Sequence, residues 1–517
     1  MTRNRKGKHM LLGIDVGTTG AKAMVFTEEG GTRGYAFREY GILYTKESYA
    51  CQDAEKVWEI TKEVIREAVR EEGQNIRSIS VSVQGDAVIP VDRDRIALAW
   101  AQLGMDYRGR EEARMCADRF GAREIFSRTG MRPHPMNSFI KILWIKRHDE
   151  RLYEKTYKFV TYADFIMGKL GSSEIVIDYT MAGRTQAFDL SGRTWSKEIL
   201  KAFDIQEDKL GTPVPSGTVV GTINRALAEE LGICPGAALV AGGHDQTCAA
   251  VGAGITEEGM ALDSHGTAEV LTAVSEGPKL GSVMFDSFYP CYIHALPGLY
   301  ATFALNHTGG ALLRWFVEEY CREDRRIAAA EGISVYDHVM EQLPDGPSHV
   351  MVLPYLNGSG TPYCDLEMKG GILGLTLATG RYDIAKAVLE ALCFEMRLNM
   401  DQMKEAGIAV RTVRCAGGGA RSRTGLKLKA DIMGVPVTTL KVREAACFGA
   451  AILAGRGAGL YRSAADIQSL VQTDVTYEPE KARKDMYDER YRVYRGLYRT
   501  MKPVMARVGE HNAENIQ

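Results

Sequence analysis

No two of the ten cysteines stand at C-x-x-C spacing, which removes a zinc cluster and a redox pair from the functions to consider. There is no long uncharged apolar stretch, so nothing in the chain reads as a bilayer span. Nor is there an excess of one charge. The 64 Lys and Arg stand against 66 Asp and Glu, a formal net charge of −2, and this gives no electrostatic attraction to nucleic acid or to an anionic membrane. The basic start "MTRNRKGKH" is followed by an apolar run that Asp15 and glycines break at once, which excludes a secretory signal. Also missing are G-x-x-x-x-G-K-[ST] and G-x-G-x-x-G with an acid about 20 residues on, so neither a P-loop nor a dinucleotide fold is supported. Cys248, Cys393 and Cys447 lie inside apolar runs and read as small core residues. The expectation is a reduced, soluble, cytoplasmic protein.

What is present is a long α/β pattern. The 517 residues exceed what one hydrophobic core fills, so two or more domains are expected. Residues 10 to 26 read as two strands joined by a Gly/Thr turn, and "AEKVWEITKEVIREAVREEG" is an amphipathic helix ending in Gly. "IRSISVSVQGDAVIPVD" reads as strand, turn, strand, and "NSFIKILWIKRH" as a helix. "GTPVPSGTVVGTI" is irregular, and "ALVAGGHDQTCAAVGAG" is strand, polar turn and small-residue helix. Then the pattern restarts: "GMALDSHGTAEVLTAV" is again strand, Gly-Thr turn, apolar run. "DIAKAVLEALCFEMRLNMDQMKEAG" is the longest clear helix, and "VRCAGGGARSRTGLKLKADIMGVPVTTL" is strand, glycine turn, helix, strand. This predicts two α/β halves dividing near 254 to 259, an architectural duplication with a cleft between halves as the ligand site. The predicted units are 10–256, 257–480 and a charged helical tail, 481–517.

Four turns carry candidate chemistry. In "LLGIDVGTTGAKAMVF" a Gly between hydroxyl residues presents backbone N–H groups that can cradle phosphate oxygens. Thr18 and Thr19 add hydroxyls, Lys22 adds a positive charge, and Asp15 at a strand end is placed to hold hydrated Mg²⁺. The plain alternative is a hairpin whose Asp and Thr satisfy backbone groups. "SHGTAEV" is a second such turn, "LNHTGGALLRWF" puts Thr-Gly-Gly at a helix start that favours an anion, and "CAGGGARS" lets a flat ring or phosphate approach the backbone. Four together point to a nucleotide. In "AGGHDQTCAA", Asp245 is placed to take a proton from a hydroxyl attacking phosphorus; the alternative is a helix N-cap.

On these residues the chain resembles the FGGY carbohydrate kinases over roughly 10 to 480. "IDVGTTGAKA" is similar to that family's first phosphate loop, "GGHDQ" to its catalytic segment and "GTAEV" to its second phosphate loop. "GGILGLTLATGRYDIAKAVLE" is similar to its C-terminal signature, "AGGGARS" to its adenosine loop, and "REAACFGAAILA" to the helix that closes the nucleotide pocket. The resemblance implies two ribonuclease H-like domains of the actin/hexokinase type with an interdomain catalytic cleft. It implies ATP- and Mg²⁺-dependent phosphorylation of a sugar or polyol. Asp245 would be the general base, and Asp15 and Asp245 the carboxylates facing the metal. Asp15, Gly17, Thr18, Thr19 and Lys22 would meet phosphates, and Gly266 and Thr267 the transferring group. Gly309, Gly310, Gly417, Gly418, Gly419 and Ser422 would line the nucleotide side. Gln84, Asp86, Asp106, Arg108, Asp245 and Gln246 would read the substrate, with two alternatives: turn residues for Gln84 and Asp86, and a structural ion pair for Asp106 and Arg108.

The departures bear on the substrate. Gly85-Asp86 stands where glycerol kinases carry Arg-Glu, and Gly104 and Met136 stand where they carry rings, so glycerol is disfavoured. Lys427 and Lys429 occupy a helix where Gln is frequent in the family. A xylulose-like pentulose is the leading acceptor; a deoxy-ketose, tetritol or aldonate is the alternative. A non-catalytic nucleotide switch is the alternative of another class. A homodimer is the assembly the resemblance suggests.

Overall fold

The computed structural model describes residues 9–47 and 49–514. It opens on three antiparallel strands, β1 (Met10–Val16), β2 (Gly20–Thr27) and β3 (Thr32–Glu39). β1 is apolar on both faces and almost wholly buried, as a central strand must be. Helix α1 (Ala54–Ala68) starts at Asp53, whose carboxylate accepts from the Glu55 and Lys56 amides, and it buries Val57, Val64 and Ile65 on its inner face. β4 (Ile76–Val83) then joins β1 in parallel. After α2 (Ser138–His148) and α3 (Tyr179–Arg184) come β5 (Val219–Thr222) and β6 (Ala238–His244). The sheet order is β5-β6-β4-β1-β2-β3. Part of the segment expected to be irregular therefore forms a strand: β5 pairs antiparallel with β6 at the sheet edge, where Gly and Pro nearby are tolerated.

Helix α4 (Asp245–Gly252) leads into β7 (Met260–His265), β8 (Glu269–Ser275), β9 (Tyr292–Ile293) and β10 (Tyr300–Asn306). Then follow α5 (Gly309–Tyr320), α6 (Arg381–Glu405), β11 (Thr412–Gly417), α7 (Arg423–Met433), β12 (Val437–Leu440), α8 (Ala445–Gly457), β13 (Thr473–Tyr477) and α9 (Lys481–Glu514). The second sheet has the order β9-β10-β8-β7-β11-β12-β13. Within it, β10-β8-β7-β11-β12 repeats β3-β2-β1-β4-β6 in order and direction: three antiparallel strands, then two parallel ones. The duplication expected from the two Gly-Thr hairpins is thus a duplication of topology, and both units are of the ribonuclease H-like type.

The join between the units is made by backbone. α4 and α8 cross so closely that a Cβ on Gly449 would lie 1.7 Å from the Cys248 carbonyl oxygen, and one on Gly252 would lie 2.0 Å from that of Ala445. Only glycine permits this approach. α8 belongs to the second half of the sequence, yet it packs on β1, β4 and β6 of the first sheet. This corrects one expectation from the resemblance: α8 lies beneath the first sheet instead of closing over the nucleotide side. A ridge of small residues (Ala445, Gly449, Ala450, Ala454) is what lets it lie flat there. Among the described residues, no helix is long and apolar enough to cross a membrane.

Candidate active site

β6 runs through "GGH" without a turn, and Asp245 is the first residue of α4. A register shift against β4 falls at Ala241 and Gly242, between Val240 and Gly243, and a Cβ on Gly242 would meet the Val81 carbonyl oxygen at 1.9 Å. The N-cap position belongs to His244, with no side-chain cap, so the Asp245 carboxylate is not consumed in starting the helix. Burial and the nearby Asp15 charge push its pKa up to about 7, although Arg184 opposes them. His244 Nε2 lies 3.4 Å from Asp245 Oδ1. Burial, aided by Arg184, holds the His244 imidazole well below its ordinary pKa and therefore neutral.

The first hairpin places Asp15 and Lys22 directly across from each other in register. Asp15 accepts from Ser82 Oγ at 2.8 Å, and burial raises its pKa despite Lys22. Lys22 is not a lone cation: its Nζ is 2.5 Å from Glu444, at the start of α8. The turn at Gly17, Thr18 and Thr19 is braced from below. Tyr40 donates to the Gly17 carbonyl at 2.6 Å, and Gln52 Nε2 to that of Thr18 at 2.7 Å. Gln84 belongs to this brace, its Nε2 donating to the Gly17 carbonyl at 3.3 Å and to Gln52 at 3.0 Å.

In the second unit, one cavity of about 560 Å³ is lined by Gly266, Thr267, Gly310, Gly418, Gly419 and Ser422. Gly309 borders a smaller chamber of about 110 Å³ behind it, and Gly417 faces the other side of the glycine loop. The start of α5 differs from the expected free anion site. The Gly310 and Ala311 amides donate to the Gly266 and Thr267 carbonyls at 3.0 and 3.2 Å, so α5 buttresses the second Gly-Thr turn. Ser422 caps α7, accepting from the Gly425 amide.

Of the residues expected to read substrate, Asp86 forms a buried two-pronged ion pair with Arg184, at 3.1 and 2.5 Å. Asp106 and Arg108 form another, at 2.9 and 2.6 Å, with the guanidinium over the Tyr49 ring at 4.1 Å. Gln246 accepts from Thr272 of β8 at 3.4 Å, tying α4 to the second sheet. Two residues that the sequence did not single out stand close to Asp245: Arg184, whose charge opposes the rise of its pKa, and Tyr292, whose hydroxyl the carboxylate helps to keep protonated. Among the described residues, Arg184 Nη1 and the Tyr292 hydroxyl are buried with no well-aligned hydrogen bond of their own. Nothing local marks them, because Arg184 sits 98 positions from Asp86. Breaking this pair is expected to be costly. Arg184→Met should destabilise by about 3–5 kcal/mol, since Asp86 becomes an uncompensated buried charge, and Arg184→Met with Asp86→Asn should recover part of the loss in urea unfolding.

Residues 10–252 match the N-terminal domain, and residues 261–458 the C-terminal domain, of the FGGY family of carbohydrate kinases. Over 510 residues the chain is 28% identical to a protein named xylulose kinase from Staphylococcus epidermidis, with 96% of this chain and 98% of that one covered. The same 28% identity, over 502 residues, relates it to one named glycerol kinase 2 from Thermotoga maritima, covering 94% and 96%. A ligand-bound xylulose kinase from Lactobacillus acidophilus aligns with a TM-score of 0.88 at 23% identity, over 97% of this chain and 100% of that one, a likeness of fold.

Proposed function

Because the chain belongs to the FGGY family of carbohydrate kinases and is itself a carbohydrate kinase, we propose that it moves the terminal phosphoryl group of ATP to a hydroxyl of a xylulose-like pentulose, with Asp245 as the base. The observation that carries this reading is the surroundings of Asp245. Its pKa near 7 leaves the carboxylate able both to accept and to release a proton at neutral pH. Arg184 Nη1 and the Tyr292 hydroxyl, buried side by side with no well-aligned hydrogen bond of their own, suit the oxygens of a polyhydroxy acceptor, since an unmet buried donor is costly. His244 packs on the Gly85 turn, where a Cβ would come within 2.6 Å of its Nε2, and this fixes the ring beside the base.

The residues also fit the cofactors. Asp15 and Asp245 supply carboxylate oxygens, the donors Mg²⁺ takes, and a divalent cation would relieve the repulsion that lifts Asp245. Mg²⁺, when bound, neutralises charge on the phosphates. The cavity of about 560 Å³ gathers the second Gly-Thr turn and the glycine loop around one space, suited to a nucleotide. Asp245 takes the proton from the acceptor hydroxyl at a carboxylate oxygen. Arg184 and Tyr292 hold that acceptor, and the two units keep water from the phosphoryl group.

A second reading, an aldonate, is favoured by Lys141. This residue is fully buried, among the described residues its Nζ donates only to the Pro135 and Met136 carbonyls, and burial lowers its pKa to about 8 despite Asp86 and Asp106. ADP release with MgATP should be measured against xylulose, other pentuloses, gluconate, erythritol and glycerol. A kcat/KM for xylulose at least tenfold above the rest is expected. A dominant response to gluconate would move the assignment to the aldonate, and silence across the panel would remove the pentulose reading.

A further inference from the structure

Four ionisable groups meet behind the second Gly-Thr turn. Lys429 of α7 ion-pairs with Asp263 of β7 and with Glu269 of β8. His265 Nε2 lies 2.9 Å from Asp263 Oδ2 and 2.9 Å from Lys429 Nζ. Asp263, Glu269 and Lys429 are buried, whereas the His265 side chain keeps 14% exposure and borders both the cavity of about 560 Å³ and the chamber behind it. The cluster ties both strands of the hairpin that carries Gly266 and Thr267 to the helix that follows the glycine loop.

The chemistry of this cluster decides the state of the ring. Asp263 only accepts and Lys429 only donates, so in a charged ring Nε2 gives its proton to Asp263, and in a neutral ring Nε2 accepts from Lys429 and the ring's own proton sits on Nδ1. That leaves Nδ1, which has no hydrogen-bond partner among the described residues and faces the glycine loop, where a Cβ on Gly419 would lie 2.6 Å away. The groups facing the ring are Asp263, Glu269, Lys429 and the Cys415 thiol. Burial and Lys429 work against a charged ring, but Asp263 overrides them and lifts its pKa to about 10. Nδ1 is therefore an N–H donor on a cation, beside the glycine loop at the edge of a cavity whose wall also carries Gly266, Thr267, Arg314, Asp337, Arg421 and Ser422. Such a donor suits an anionic oxygen better than a neutral one.

Resting on the nucleotide reading above, we propose that His265 is a further phosphate ligand, donating its Nδ1–H to an oxygen of the nucleotide's phosphate chain. Asp263 is the positioning residue that aims the ring. The imidazolium does here what a Lys or Arg does in other phosphate sites, from within the turn itself.

The test compares ADP with adenosine by calorimetry on the full chain. His265→Gln is expected to weaken ADP at least about tenfold, the loss of one charge-assisted bond, and to leave adenosine within twofold. Equal loss for both ligands, or no loss of ADP, would overturn the proposal. If the variant does not fold, ¹⁵N-histidine spectra of the parent decide. A cationic ring at pH 8 whose Nδ1 signal shifts with ADP but not with adenosine supports the assignment, and a neutral ring or identical shifts sink it. A parent protein that binds no ADP would remove the nucleotide reading as well, whereas ADP bound equally by parent and variant removes only this ligand.

Discussion

Asp245→Asn is expected to yield a protein that binds ADP as the parent does, transfers phosphate about 10²–10⁴-fold more slowly, and melts later than the parent at pH 8. The rate falls because an amide cannot take the acceptor's proton. The stability rises for the reason the residue suits catalysis. Its folded pKa, about 7, lies above the ordinary 3.8. Between those two values the folded state binds more protons than the unfolded state. This group's contribution to stability therefore falls as pH rises through that window, and the whole penalty is present above it. Asn carries no charge to desolvate. The difference in melting temperature should shrink as pH drops toward 4 and be gone below it. In the parent, kcat/KM should rise with pH through about 7 as the carboxylate ionises. Asn at unchanged rate would eliminate Asp245 as the base, and a lower melting temperature at pH 8 would mean that its charge is compensated.

The second large effect is expected at Gly449. A Cβ there would sit 1.7 Å from the Cys248 carbonyl oxygen and 2.5 Å from its carbon. These are backbone atoms of a helix, so no rotamer change can clear the space, and α4 and α8 must separate. Gly449→Ala should cost more than about 3 kcal/mol, at or beyond the upper end of overpacking, and should reduce soluble yield. Gly496→Ala is the control: nothing lies within 4 Å of a Cβ there. In the exposed face of α9 it should stabilise by up to about 1 kcal/mol. Urea unfolding of the two variants beside the parent checks both signs. If Gly449→Ala unfolds like the parent, the helices are not in backbone contact.

Much of this architecture is legible in the sequence, and the limits have physical causes. The two Gly-Thr hairpins, the α1 periodicity and the long α6 helix are local patterns, and local patterns survive in a linear reading. The position of Asp245 was also readable, but its setting was not. The glycines before it suggested a turn, whereas they lie at a register shift inside a strand, visible only once β4 lies alongside. For Gln84 the sequence leaves two readings, sugar contact or turn residue, and its bracing of the Gly17 turn is hidden there because its partner Gln52 comes from a different strand. Arg184 is unmarked in the sequence, and Lys429 reads there only as a departure from the family's Gln. A basic residue in a helix looks like solvent-facing surface, and burial is decided here by acids 98 and 160 positions away.

The crossing of α4 and α8 has a consequence for how the chain can be taken apart. The sheets divide cleanly in sequence, but residues 445–457 are the floor of the first one, and the apolar cluster there mixes Leu11, Met24 and Phe26 with Cys447, Phe448 and Ile452. A fragment ending near residue 256 would carry an uncovered sheet, and the remainder would carry a greasy helix without a seat. The two halves are complementary pieces of a single object, to be recovered by co-expression and mutual rescue and not as independent modules.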